Sequence, residues 1–208
     1  IYDIAFNEEG ELFTFDADME WDVGMPWYRP TRICHATSGV DFGWRSGNGK
    51  WRVDYIDSRT SVVDVGPGSP TGLTFGVGAQ FPEKYQKALF ACDWSYGRIF
   101  AVHLTPDGAS YRGEVESFAS AMPLPVTDIE VHPLDGALYF LVGGRRTGSA
   151  LYRIVYDGAL PADNDAKSKP TKQNVAAAKA REIRRHLESL HGREVEGAVD
   201  QLWPYLDA

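Results

Sequence analysis

The sequence predicts a mainly β protein built from consecutive units of short antiparallel strands. Residues 128–158 contain three apolar runs, and Gly, Pro or Asp residues separate each run from the next. Short apolar runs between turn residues are typical of β-strands joined by turns. The same succession occurs at 3–16 and at 72–108, so one structural unit is repeated along the chain. Residues 1–158 are therefore predicted to form β-propeller blades.

Each predicted blade has up to four strands, named a to d from the innermost outward. The third blade has no convincing d strand, because the apolar runs stop at residue 158. Three blades are fewer than the ~4–8 that propellers use, so we expect the chain to be an internal part of a longer protein. The predicted strands cover residues 2–6, 12–15, 31–35 and 61–65, then 73–76, 88–92, 98–104 and 114–118, then 129–131, 137–142 and 151–156.

Beyond the predicted blades the sequence changes character twice. Residues 159–171 are rich in Ala, Asp, Asn, Lys, Ser and Pro, which predicts a solvated linker. Residues 172–208 have helical periodicity with a stop at 191–192, and predict a helical hairpin. Two helices cannot bury both apolar faces alone, so we expect them to begin a helical repeat array. The first helix is predicted to bury Val175, Ala178, Ile183, Leu187 and Leu190.

The composition excludes several classes of protein. With 208 residues, 43% of them hydrophobic, the chain is long enough to build a core. Its net charge of −8 argues against a nucleic-acid partner, which needs a basic surface. No apolar run is long enough to span a membrane. Cys34 and Cys92 form no C-x-x-C pair, and we expect two buried thiols, with a disulfide as the alternative.

Alternating strand direction sorts the connections between strands into two groups. The b–c and d–a connections emerge at one end of the blades, and they are long and rich in Asp, Arg, Trp and Gly. We call this end the loop face, formed by residues 16–30, 66–72, 93–97 and 143–149. Functional residues commonly lie on loops that a rigid scaffold positions. Six residues are predicted to surround one concavity there: Asp16, Trp27, Arg29, Trp94, Arg98 and Arg145.

The opposite end has mostly plain turns. Its one long connection, residues 36–59, contains several aromatic side chains, which we expect to cover the outer strand of the first blade.

The densest negative charge lies in residues 16–22. In an extended segment its alternate carboxylates project to the same side, and their mutual repulsion favours a bound cation. Calcium is the natural candidate, since it prefers oxygen ligands. The alternative is that the segment pairs with Arg29 and Arg32. The predicted metal ligands are Asp16, Asp18, Glu20 and Asp22.

The loop face also carries several arginines close to a tryptophan. Guanidinium groups offer planar, two-pronged donors that match carboxylates, so this set could hold an anionic ligand. The alternative is that each arginine pairs with a neighbouring Asp. The predicted ligand-binding residues are Arg29, Arg32, Trp94, Arg98, Arg145 and Arg146.

Four motifs stand out across the chain. They are D-x-E-W-D-x-G-x-P-W-Y-R-P-T-R at 18–32, D-F-G-W-R at 41–45, G-P-G-S-P-T-G at 66–72, and G-G-R at 143–145 followed by L-Y-R at 151–153. Together they resemble a family of large bacterial multidomain proteins of the membrane-bound-dehydrogenase type. In that family a propeller similar to soluble quinoprotein glucose and sorbosone dehydrogenases is followed by HEAT-like repeats and a c-type cytochrome domain.

The resemblance implies a six-bladed propeller exported to the periplasm or cell exterior. It implies a dehydrogenase of sugars or alcohols that uses pyrroloquinoline quinone (PQQ) and calcium on the loop face, and passes electrons to a haem c outside this chain. Further blades upstream and HEAT-like helices downstream would complete the protein. The catalytic histidine of the quinoprotein enzymes comes from an earlier blade, so no catalytic residue is assigned here. The alternative function is a non-catalytic propeller that binds glycan or protein.

Overall fold

A computed structural model describes residues 1–45, 49–52, 54–55, 57–160 and 172–206. It confirms the mainly β fold class, because residues 1–158 contain three antiparallel sheets whose strands follow each other in sequence order. Two sheets have four strands and the third has three. The three sheets correspond to the three predicted blades.

The first blade consists of β1 (Ile4–Phe6), β2 (Leu12–Asp16), β3 (Thr31–Ala36) and β4 (Val63–Gly66). All four strands were predicted to within about two residues at each end. Along β2 every residue after the first is buried, and β3 is buried on both faces up to its last residue. Strands with two buried faces lose the alternation of polar and apolar residues, which explains their continuous apolar runs.

The second blade consists of β5 (Pro70–Phe75), β6 (Leu89–Asp93), β7 (Arg98–Asp107) and β8 (Ser110–Ser120). Its outer hairpin is longer at both ends than the sequence predicts. A short helix, α1 (Glu83–Gln86), lies between β5 and β6 and was not predicted, because four residues carry no helical periodicity.

The third blade consists of β9 (Val126–Val131), β10 (Leu138–Val142) and β11 (Ala150–Ile154). The sheet has three strands, as predicted, with β11 at its outer edge. The last strand ends at Ile154, so the prediction that it continues to Tyr156 was wrong.

The blades pack through their innermost strands, with β5 lying beside both β1 and β9. Two side chains bind neighbouring blades directly: Asp3 Oδ2 accepts from the Leu73 amide at 2.8 Å, and Thr71 Oγ1 donates to Val126 O at 2.7 Å. Gly72 allows this close approach, because a Cβ there would lie 2.5 Å from Asp128 Cα. Adjacent inner strands are the arrangement of consecutive propeller blades.

A hydrophobic cluster fills the space between the second and third blades. Burial of one such side chain contributes roughly 1.5–3 kcal/mol. The blades are therefore held together mainly by apolar packing, and the polar bonds of the inner strands fix their register. The fully buried side chains of this hydrophobic cluster include Phe90, Ile99, Val126, Ile129 and Leu138.

Residues 106–111 and the described residues 172–206 belong to a second compact unit. It contains α2 (Lys172–Glu188), α3 (Ala198–Leu202) and a 3-10 turn at Trp203–Tyr205. Two helical segments were predicted, but the second is shorter and ends in the 3-10 turn. The first helix buries Ala177 and Arg181.

The predicted apolar stripe of α2 was wrong for Val175 and Ala178. Val175 and Ala178 are exposed, and Ile183, Leu187 and Leu190 are only partly buried. The buried face instead carries a guanidinium: Arg181 lies over the ring of Tyr111, with its Cζ atom 5.1 Å from the ring centroid. A charged residue on the buried face removes the apolar signal on which the prediction depends.

The predicted domain bounds, 1–158, 159–171 and 172–208, stay a prediction, because residues 161–171 lie outside the described part of the chain. The same holds for the expected HEAT-like array. None of the described helices is both long and apolar enough to cross a membrane.

Candidate functional site

The strand register places the predicted connections at one end of the blades. In each blade, the last cross-strand pair between strands b and c marks the end from which the b–c connection emerges. The d–a connection at 67–69 reaches the same end, because Gly66 pairs with Thr31 and Pro70 with Asp93. The topological prediction of the loop face is therefore confirmed. The closing pairs are Asp16–Arg32, Asp93–Arg98 and Val142–Ala150.

Hydrogen bonds join these connections into one surface. Trp94 Nε1 donates to Gly143 O at 2.8 Å, and the Trp94 amide donates to Ser69 O at 2.9 Å. The Gly68 amide in turn donates to the Asp18 carboxylate. Connections from all three blades are thus linked in series.

Asp93 is a buried acceptor at the centre of this series. It accepts from Arg98 Nε at 2.8 Å and from Arg98 Nη2 at 2.6 Å. It also accepts from the amides of Ser69 and Ser95, at 2.8 and 3.1 Å. The second Arg98 donor is shared with Pro67 O at 2.6 Å. Arg98 therefore fixes two loops to each other, and its side chain is only 27% exposed.

The first blade repeats this arrangement with Asp16 and Arg32, which are both buried. Arg32 donates to Asp16 Oδ2 from Nε at 3.0 Å and from Nη2 at 2.8 Å. Trp44 Nε1 donates to the same oxygen at 2.8 Å, and the Trp51 ring centroid lies 3.9 Å from Arg32 Cζ. A guanidinium on an aromatic face gains a cation–π contact as well as its hydrogen bonds.

These contacts correct the expected position of the connection 36–59. The sequence predicts that this connection stays at the end opposite the loop face. Instead, its aromatic side chains cover the Asp16–Arg32 pair at the loop face. Phe42 O also accepts from Arg32. Arg32 is therefore buried, and its side chain cannot reach a ligand.

Arg29 pairs with Asp22, whose carboxylate is buried. Arg29 donates to Asp22 Oδ2 from Nε at 3.1 Å and from Nη2 at 3.0 Å, and the Lys50 amide donates to Asp22 Oδ1 at 2.9 Å. Burial raises the pKa of the Asp22 carboxyl, but the bonds from Lys50 and Arg29 outweigh it and lower the pKa below its ordinary value. Asp22 is thus held as a carboxylate by protein donors.

The four predicted metal ligands are not brought together. Asp16 and Asp22 face arginines, which leaves Asp18 and Glu20 as the two without a cationic partner among the described contacts. Across the described ranges, no group of three or more His, Cys, Asp or Glu side chains is arranged to hold a metal ion. The structure shows the alternative that the sequence left open, in which Asp22 pairs with Arg29 and Asp16 pairs with Arg32. The metal site itself stays a prediction.

Asp18 and Tyr28 form a polar pair on the exposed side of the loop face. Tyr28 Oη donates to Asp18 Oδ2 at 3.4 Å. Burial and the nearby charge of Glu20 raise the pKa of Asp18, despite the bonds from Gly68 and Tyr28 that lower it. Burial and the charge of Asp18 raise the pKa of Tyr28 to about 12. The tyrosine therefore stays a hydrogen-bond donor over the whole neutral range.

The connection 143–149 carries the remaining predicted residues, Arg145 and Arg146. Both side chains are exposed, and no ion pair joins either of them to another residue of the described part of the chain. Trp94 lies against this connection through its bond to Gly143. Arg145 and Arg98 lie at the same end of the blades, as predicted, and the shared concavity stays a prediction.

The histidines within strand c lie toward the opposite end. His35 Nε2 and Glu11 Oε2 are 2.9 Å apart in a buried pair, and His103 Nε2 lies 2.7 Å from Glu116 Oε2. Neither is near the loop face. Sequence reasoning missed Asp93 as the anchor of the loops, although an Asp at the end of strand b and an Arg opening strand c recur in two blades.

No protein-family model and no curated protein sequence matches the chain. Solved structures do match it in fold. One is a Thermus thermophilus protein named as an oxidoreductase (glucose dehydrogenase), with a TM-score of 0.55 and 19% identity over 72% of this chain and 43% of that chain. Another is the PQQ-bound form of an aldose sugar dehydrogenase from Streptomyces coelicolor, with a TM-score of 0.51 and 11% identity over 72% of this chain and 41% of that chain.

These likenesses show that the chain shares its fold with sugar dehydrogenases. The chain spans about two fifths of the length of each of these structures. The identities are too low to transfer residue roles, so the function rests on the chemistry of the loop face.

Proposed function

We propose that this chain is the C-terminal part of the propeller of a quinoprotein-type dehydrogenase that oxidises a sugar or an alcohol with PQQ. The observation that carries the proposal is the loop face itself. Connections from three blades are hydrogen-bonded into one surface, on a fold shared with a PQQ-bound aldose sugar dehydrogenase. Ligands commonly bind where loops converge on a rigid scaffold.

The residues of the loop face fit PQQ in part. PQQ is a planar tricarboxylate, so the strongest ligands for it are arginines or lysines that are free of internal carboxylates. Arg29, Arg32 and Arg98 do not meet this condition, because each pairs with an Asp. Arg145 and Arg146 do meet it among the described contacts, and they are the residues that would hold a PQQ carboxylate.

When bound, PQQ supplies the two-electron acceptor for sugar oxidation. The Trp94 ring lies beside the connection that carries both arginines, and its bond to Gly143 O fixes that connection. The Asp93–Arg98 pair holds the neighbouring loops, so the protein contributes a rigid surface and positive charge.

The test uses the intact protein reconstituted with PQQ and calcium. Dye reduction is measured with a panel of aldoses and primary alcohols. We expect the double variant Arg145→Gln/Arg146→Gln to need about tenfold more PQQ for half-maximal activity, since two charge-assisted contacts are lost. The matched control is Arg112→Gln, an exposed arginine on β8. An intact protein that neither binds PQQ nor reduces dye with any substrate contradicts the proposal.

The second candidate is a non-catalytic propeller that binds glycan or protein. It is favoured by the internal pairing of Arg29, Arg32 and Arg98, which reduces the cations available for a quinone. In this case the intact protein binds its ligand without PQQ and reduces no dye.

The proposal extends beyond this chain. Export to the periplasm or cell exterior, further blades upstream and HEAT-like helices downstream all belong to it. So does electron transfer to a haem c in another domain, which is tested by following the absorbance of reduced haem after sugar is added to the intact protein.

A further inference from the structure

The loop face exposes several large aromatic rings. Trp21, Trp27, Tyr28 and Tyr96 are between 45% and 60% exposed, and all four lie on two connections of this face. Leaving large rings in water costs free energy that burial would recover. Clustered exposed rings therefore indicate a surface that contacts a ligand or partner.

Tyr28 is held next to a carboxylate, and Tyr96 is held by an arginine. Tyr28 Oη donates to Asp18 at 3.4 Å, and Tyr96 adds to the effects of burial and Asp18 that raise the pKa of Tyr28. Arg98 lies against the Tyr96 ring, with Cζ 4.7 Å from the ring centroid. Since Arg98 is itself fixed by Asp93, the Tyr96 ring has a rigid support.

The polar groups around these rings are also held in place. The Gly68 amide donates to Asp18, and the hydroxyl oxygens of Ser69 and Ser95 lie 2.6 Å apart. The site therefore presents ring faces, a carboxylate acceptor and hydroxyl groups within one set of fixed loops. A binding site whose side chains are already held in place before the ligand arrives loses less conformational entropy on binding.

This combination favours a neutral ligand with many hydroxyl groups. The faces of a pyranose carry C–H groups that pack on aromatic rings, and its hydroxyls donate to carboxylates. An anionic ligand is disfavoured, since Asp18 and Glu20 are both negative and lack a cationic partner in the described part of the loop. A purely apolar ligand would leave the Asp18 carboxylate desolvated without compensation.

We propose that Asp18, Tyr28 and Tyr96 form a binding subsite for a pyranose sugar. The inference rests on the proposed function for one point, that the ligand is a sugar. It does not depend on whether the protein binds a quinone. It assigns the recognition of sugar to the β2–β3 and β6–β7 connections, whereas the arginines that fit PQQ lie on the β10–β11 connection.

The test measures sugar binding to the intact protein without PQQ. The probes are D-glucose, cellobiose and methyl β-D-glucopyranoside, the last of which has no free anomeric hydroxyl and separates binding from oxidation at that carbon. Saturation-transfer NMR detects the bound sugar and titration calorimetry gives Kd. We expect Tyr28→Ala and Tyr96→Ala each to raise Kd about tenfold, and Asp18→Asn about fivefold.

Two further variants serve as controls. Tyr28→Phe keeps the ring and should stay within about threefold of the wild-type Kd. Tyr205→Ala removes an equally exposed tyrosine in the second unit and should leave Kd unchanged. Wild-type protein that binds none of the three sugars overturns the inference, as does unchanged binding by Tyr28→Ala and Tyr96→Ala. Sugar binding without dye reduction supports the subsite and contradicts only the proposed oxidation.

Discussion

Arg98 Nη2 lies 2.6 Å from Asp93 Oδ2, and the two residues are direct cross-strand partners on β6 and β7. Asp16 and Arg32 occupy the same positions on β2 and β3, with Nη2 and Oδ2 2.8 Å apart. The acid therefore ends strand b and the arginine opens strand c in two successive blades. This repeated pair closes the sheet and leaves the arginine little freedom to bind a ligand.

We predict that Asp93→Ala lowers the free energy of unfolding by about 3 kcal/mol, because it leaves Arg98 and two amides without their acceptor. Asp93→Asn keeps an acceptor for the amides and should cost less. Urea unfolding of the intact protein measures both. The control is Asp107→Ala, an exposed residue at the end of β7 for which we expect a change below about 0.5 kcal/mol. Equal effects of Asp93→Ala and Asp107→Ala would show that the pair is not a structural anchor.

Gly144 is predicted to tolerate no side chain. Its φ of +125° is strained for other residues, and a Cβ there would lie 2.9 Å from Trp94 Nε1. We expect Gly144→Ala to lower the free energy of unfolding by about 1–3 kcal/mol. Gly148→Ala is the matched control on the same connection, because its Cβ would meet nothing within 4 Å. Thermal denaturation of the two variants makes the comparison, and a Gly144→Ala protein as stable as the control contradicts the described contact.

Both cysteines are predicted to be unreactive in the folded protein. Cys34 and Cys92 are free and completely buried. Burial raises the pKa of Cys34 to about 12 and raises that of Cys92 as well, so neither forms the reactive thiolate near neutral pH. Titration with Ellman's reagent at pH 8 should detect neither thiol before unfolding, and both after addition of guanidinium chloride. Rapid reaction of either thiol in the native protein contradicts this prediction.

The strands could be predicted because each repeats one pattern, an apolar run between turn residues. The register then follows from strand alternation, which explains why the loop face was placed correctly. The helix α1 and the buried face of α2 were missed, since α1 is too short for periodicity and α2 buries Arg181. A charged side chain on the buried face of a helix interrupts the apolar periodicity from which that face is predicted.

The partners of the arginines could not be chosen from sequence. Arg32 lies 16 residues from Asp16, whereas Arg98 lies five residues from Asp93, and spacing alone does not say which pairs meet. The connection 36–59 determines that Arg32 pairs with Asp16, because its tryptophans bury Arg32 beside that residue. That contact joins residues that are remote in sequence, so only the folded chain reveals it.

Calcium is predicted to leave the melting temperature unchanged. Binding at residues 16–22 would require the Arg32–Asp16 pair to open, and both side chains are buried with their bonds satisfied. Asp18 and Glu20 alone supply too few ligands for a tight site, which takes about six to eight oxygens. Thermal denaturation with calcium and with chelator tests this. A rise in melting temperature that Asp18→Asn abolishes would support the metal site after all.

The last prediction concerns Glu116, which accepts hydrogen bonds from three side chains. Tyr85 Oη and His103 Nε2 each lie 2.7 Å from a carboxylate oxygen, and Lys84 Nζ lies 3.1 Å away. The Tyr85 bond, followed by those from His103 and Lys84, lowers the pKa of Glu116 from 4.5 to about 2. A carboxyl with a lowered pKa stabilises the fold above its unfolded pKa and loses that contribution as pH falls.

The stabilisation from Glu116 should therefore be complete above about pH 5 and decline between pH 4.5 and pH 2. The side chain is 34% exposed, so solvent screening limits the effect to about 1 kcal/mol. Urea unfolding at pH 7, 5 and 3 should show a smaller loss of stability on acidification for Glu116→Gln than for wild type. Glu114→Gln, an exposed residue on the same strand, should behave like wild type. If Glu116→Gln and Glu114→Gln lose stability in parallel with wild type at every pH, the three donors do not hold the Glu116 carboxylate in solution.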